Sequence, residues 1–144
     1  MGRPSRTRLG ALAGAAALAL LAGCGGGKAE SGSASASATA PEDKRVSAAE
    51  VATGLHRIDD IVRQVAGAAG TDKAKAADLT EQIEPVWQEV EGTIKANDQD
   101  AYIKFEDDFA QLEKAAREGD GSRASRAATD VSSTVASYLA RYPG

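Results

Sequence analysis

From Val46 onward the chain repeats one pattern four times, and that pattern leaves few folds open. Apolar residues recur at every third or fourth position, the spacing of one face of an α-helix. The first stripe is Val51, Leu55, Ile58, Val62, Val65 and Ala69. The second is Leu79, Ile83, Val86, Val90 and Ile94, widened by Trp87. Tyr102, Phe105, Phe109, Leu112 and Ala116 form the third. Ala124, Ala128, Val131, Val135, Tyr138 and Tyr142 form the fourth, with Leu139 beside it. Between the stripes, Gly70 can close the first helix and Thr71 or Asp72 can cap the next, while Asn97-Asp98 and Gly119-Asp120-Gly121-Ser122 make the further breaks. Ser47-Ala48-Ala49-Glu50 fits a capping box at the start of the first helix. No stretch alternates with period two, and no hairpin turn is present. The expectation is an all-α domain over residues 46–144. Its form is an antiparallel up-down-up-down four-helix bundle with loops of two to four residues. Each helix should run about 20 to 25 residues, close to 30 Å.

Pro85 conflicts with the second stripe. It has no N–H to donate and disfavours a helical Glu84. The helix must kink near residues 81–85 or split in two. The stripe stays in phase from Ile83 to Val86, which favours the kink.

The first 23 residues have a different character. Arg3, Arg6 and Arg8 precede an apolar run from Leu9 to Leu21, built almost wholly of Ala, Leu and Gly. The run is too short for the roughly 20 residues that cross a bilayer. It has the basic, apolar and small-residue regions of a signal peptide. Leu21-Ala22-Gly23-Cys24 resembles the lipobox of bacterial lipoproteins position by position. The resemblance implies that residues 1–23 are removed and that Cys24 carries a diacylglycerol thioether as the new N-terminus. The protein would then be lipid-anchored at the extracytoplasmic face of the cell membrane. Two acyl chains give stable attachment where one gives marginal binding. Residues 24–45, mostly Gly, Ser and Ala, have no large apolar side chain and read as a flexible tether.

Losing the three arginines of the leader takes the basic count from 17 to 14 against 21 acidic residues, a net charge of −7. Such a surface argues against nucleic-acid binding, which needs lysine and arginine for the phosphates. Cys24 is the only cysteine. Once acylated it leaves no thiol for a disulfide, a zinc site or a nucleophile.

The remaining candidates for chemistry are few. His56 is the only histidine. It points away from the first stripe, with Asp60 four residues on and Asp59 between it and the core edge. Together His56, Asp59 and Asp60 are the candidate metal ligands, against the plainer reading of a solvated helix face. The acidic run Glu106-Asp107-Asp108, with Glu113 and Glu84-Glu89-Glu91, places carboxylates on flanks of the second and third helices. It lacks the Glu-x-x-His pairs of di-iron bundles. Asp98-Gln99-Asp100 begins like a calcium loop but has no closing Glu. No phosphate-binding glycine loop opens a helix. No cofactor and no enzymatic activity are expected.

Gly54-Leu55-His56-Arg57-Ile58-Asp59 resembles the Gly-aromatic-His-x-x-Glu motif of imelysin-like iron-uptake lipoproteins. Here Leu55 stands at the aromatic position and Asp59 at the glutamate. Ile83-Glu84-Pro85 and the run from Asp100 to Leu112 are similar to helical segments of the same group. The resemblance implies metal ligation by His56 and Asp59. Two functional expectations follow. The first is a non-enzymatic binding or scaffold module that meets an envelope protein partner. The alternative is an accessory of iron or copper uptake.

Overall fold

The structure, a computed structural model, describes residues 44–144. The expected leader, the lipid-bearing Cys24 and the tether up to residue 43 lie outside the described residues. Within them the fold is all-α. The helices are α1 (Ala48–Ala69), α2 (Lys73–Thr80), α3 (Ile83–Asn97), α4 (Gln99–Glu118) and α5 (Gly121–Arg141). Among the described residues, no helix is long and apolar enough to cross a membrane.

Each boundary has a local cause. Ser47 and Glu50 form the expected capping box, with the Ser47 side chain accepting from Glu50 N and Glu50 accepting from Ser47 N. Asp72, Asp98 and Asp120 accept from the backbone N–H three residues on and start α2, α4 and α5. These bonds satisfy donors that a helix N-terminus otherwise leaves orphaned. Gly119 ends α4 at φ 73°, a left-handed turn that costs glycine nothing.

The second arm corrects the expectation at Pro85. The helix does not kink there; it divides into α2 and α3 across Glu81 and Gln82. Pro85 becomes the third residue of α3, where a backbone N–H has no intrahelical acceptor to lose. Glu81 (φ −63°, ψ −19°) and Gln82 (φ −81°, ψ −11°) keep near-helical dihedrals. The apolar stripe therefore crosses the break almost in phase, and phase alone could not separate a kink from a split.

The helices form four antiparallel arms, α2 and α3 sharing one. Val46 N donates to Thr93 Oγ1 at 2.8 Å, and Arg45 Nη1 donates to Gly92 O at 2.5 Å, so the entry to α1 lies beside the end of α3. Asn97 Nδ2 donates to the Tyr138 hydroxyl at 3.0 Å, which sets the α3–α4 turn against the end of α5. At the opposite end Gly70 and Gly121 touch backbone to backbone, and a Cβ on Gly121 would stand 3.0 Å from Gly70 Cα. The four stripes meet in one core in which Leu55, Ile58, Ile94, Phe105 and Leu112 are fully buried. Each such side chain contributes about 1.5–3 kcal/mol by leaving water. Alanines the stripes omitted, Ala76, Ala115 and Ala127 among them, are buried where helices approach closely.

Candidate functional site

The division at Glu81–Gln82 opens a groove between the α2–α3 arm and α4. Its volume is about 280 Å³. Ile83, Trp87 and Phe109 supply apolar surface, and Glu81, Glu84, Glu106 and Glu113 stand around it. No lysine or arginine is among the lining residues. Three of the four carboxylates lie on helix positions that sequence spacing already put on facing flanks. Glu106 and Glu113 are seven residues apart on α4, which is about 10 Å along the axis.

The floor is held by stacked rings. Trp87 lies 5.8 Å from Tyr102, 5.2 Å from Phe105 and 5.2 Å from Phe109 between ring centroids. Offset and edge contacts of this kind add to burial and fix ring orientation. Trp87 Nε1 donates to Glu106 Oε1 at 2.5 Å. That bond satisfies the indole donor and fixes one carboxylate at the edge of the floor. On the outer rim Gln88 Nε2 donates to Glu84 Oε1 at 2.7 Å, and Arg117 pairs with Glu113 one turn away. Both rim contacts are solvent-exposed, so a competing cation can exchange with them at small cost.

The acidic run of α4 separates by direction. Asp108 turns inward and is buried. Thr134 Oγ1 of α5 donates to Asp108 Oδ2 at 2.8 Å, and Lys104 Nζ donates to its two oxygens at 3.0 and 3.1 Å. A buried carboxylate needs such partners to offset its desolvation. Asp108 thus joins α4 to α5, Asp107 faces solvent, and Glu106 alone serves the groove.

His56 and Asp60 are exposed on α1. Asp59 is half-buried and already engaged. Ser132 Oγ of α5 donates to its Oδ1 at 2.5 Å, and Arg63 Nη2 donates to its Oδ2 at 2.5 Å. Asp59 therefore ties α1 to α5. Among the described residues, no three His, Cys, Asp or Glu side chains converge into a group that could hold a metal ion.

Elsewhere the polar network is structural. Asp98 Oδ1 accepts from Ala101 N at 2.9 Å while Oδ2 faces the Arg141 guanidinium, and the Tyr142 hydroxyl donates to Asn97 O at 2.9 Å. Burial raises the Tyr138 hydroxyl above its ordinary 10.0, against the opposing hydrogen bond from Asn97. The Ser47 side-chain and backbone hydrogen bonds hold the Glu50 carboxyl below its ordinary 4.5.

Sequence spacing did not single out Glu81 or the groove itself. The signal was Pro85. Pro85 follows Glu84 directly and Glu81 by one turn, and it stands where the arm divides, opposite the Glu106 and Glu113 pair. No family model, curated protein or solved structure matches the chain.

Proposed function

We propose that this protein is a lipid-anchored, extracytoplasmic binding module without enzymatic activity. It presents the groove between α4 and the α2–α3 arm to an envelope protein. The groove carries this reading: it combines apolar surface with carboxylates on both walls and contains no basic residue. Anchoring is supported by the sequence Leu21-Ala22-Gly23-Cys24 behind its basic, apolar leader. The bundle is the rigid part, and Cys24 supplies the attachment.

Two measurements test the two halves. Wild-type protein should fractionate with membranes and show a diacylglyceryl mass at Cys24, and Cys24→Ala should lose both. An unmodified wild-type chain would reject the anchor. For the binding face, a photo-crosslinking residue at Ala110, exposed at the groove, should capture a discrete membrane-envelope protein. The same residue at Arg126 on α5 should not. Equal capture from both positions would reject the groove as the binding face.

A further inference from the structure

We infer that the groove takes a basic polypeptide segment, with a lysine or arginine side chain of the partner entering between α4 and the α2–α3 arm. The inference rests on the groove being the binding face and names the chemistry that fills it. Four glutamates line it, and the cation paired with Glu113, Arg117, sits on the exposed rim where an incoming cation can displace it. The floor selects further. Half-buried Phe109, backed by the buried Ile83 and Trp87, offers apolar contact to the methylene stem of lysine or arginine while its head reaches the rim. A bare metal ion has no use for that floor. Calcium or magnesium needs about six oxygens at close range and zinc about four ligands, and among the described residues no three His, Cys, Asp or Glu side chains converge.

Size and charge choose the source of the cation. At about 280 Å³ the groove falls just below the range of roughly 300–1,000 Å³ typical of pockets that enclose a small molecule, and it lies open to solvent. It therefore suits a side chain presented by a larger partner better than a free amine. The Glu106–Glu113 separation of about 10 Å leaves room for a second cation along an extended segment, whose same-face side chains repeat at roughly 6.6 Å. A second copy of this chain meeting it groove to groove would bring the same glutamates to the contact and be repelled.

Trp87 is the only tryptophan in the chain, so its emission reports on the groove directly. The full chain in detergent micelles is titrated with a nonapeptide alternating lysine and alanine, and with its glutamine-for-lysine counterpart. The lysine peptide should give a saturable change in Trp87 emission at low salt, weakened at least tenfold in 0.5 M salt as screening sets in. The glutamine peptide should give none. Glu106→Gln keeps an acceptor for the indole N–H while removing the charge. Combined with Glu113→Gln it should weaken the lysine peptide about three- to tenfold, the range expected for two exposed ion pairs. Asp130→Asn on α5 should leave binding unchanged. Equal binding of both peptides, an unaffected double variant, or spermidine binding as tightly as the lysine peptide would overturn the inference. If the Ala110 crosslink forms while the lysine peptide fails to bind, the groove stands as the binding face and only its basic occupant falls.

Discussion

Gly54 and Gly67 lie on the same helix and meet opposite surroundings. A Cβ at Gly54 would stand 2.7 Å from Val90 Cγ1, a buried β-branched side chain with little freedom to move. Nothing lies within 4 Å of a Cβ at Gly67. Gly67→Ala should therefore stabilise the bundle by about 0.5–1 kcal/mol through helix propensity alone. Gly54→Ala should gain the same propensity and lose more to overpacking, for a net loss of about 1 kcal/mol. Thermal melts would show opposite shifts, about 4–8 °C per kcal/mol for a domain of this size. The two perturbed titrations give a pH signature. Glu50 has a lowered carboxyl pKa, so its contribution is present above 4.5 and is lost as pH falls through the lower folded value. Tyr138 has a raised pKa, so its contribution is present below 10.0 and is lost as pH rises toward the higher folded value. Glu50→Gln should flatten the acid limb of stability against pH, and Tyr138→Phe the alkaline limb. Denaturant midpoints across pH would detect each loss. An unchanged limb in either variant would remove that residue as its cause.

Among the helices, the break between α2 and α3 is the feature with consequences beyond itself. Pro85→Ala restores an N–H that can reach the Glu81 carbonyl, and should join α2 to α3. Amide exchange at residues 83–85 should slow, since Glu81 N and Gln82 N already donate to Ala77 O and Leu79 O, and the groove should narrow. If these amides stay unprotected, packing of α2 against α1 holds the break rather than the proline. The same element shows how much was legible in the sequence. The stripe residues Val51, Leu55, Ile58, Val62 and Val65 are all buried as their spacing required, because a 3.6-residue period encodes a face without reference to neighbours. The cap at Ser47 was legible, and that of α2 was narrowed to Thr71 or Asp72, because each acts within three residues; Asp98 was legible only as a break. The split was not legible, since Glu81 keeps its bond to Ala77 O and Gln82 only tightens to Leu79 O, a local change that does not turn the stripe. The groove was half legible. Glu84, Glu106 and Glu113 were visible as acidic flanks, but their meeting across Trp87 and Phe109 depends on how far two arms part. The inward turn of Asp108 onto Thr134 was invisible because it depends on a partner 26 positions away.

For the molecule as a whole, the contacts just ahead of α1 tie its entry to the end of α3. Arg45 and Val46 are bonded to Gly92 and Thr93, so the packed contacts reach ahead of the first helical residue. Trypsin should release a stable fragment beginning at Arg45 or Val46. Early cleavage at Arg57 or Arg63 would mean that α1 detaches readily. The chain's last residue returns to this same end. A Cβ on Gly144 would lie 2.7 Å from Ala52 Cβ and 3.2 Å from Ala48 O, so the exit of the fifth helix rests on the first turn of the first. The order of the arms along the chain is thus separable from their order in space. A short linker from Gly144 to Arg45, with new ends opened between Glu81 and Gln82, would give a circular permutant that keeps every capped turn and cuts the one junction with no capping side chain. Such a permutant should melt as a single cooperative unit, and its two new ends would frame the groove, where a fused peptide would enter it in cis.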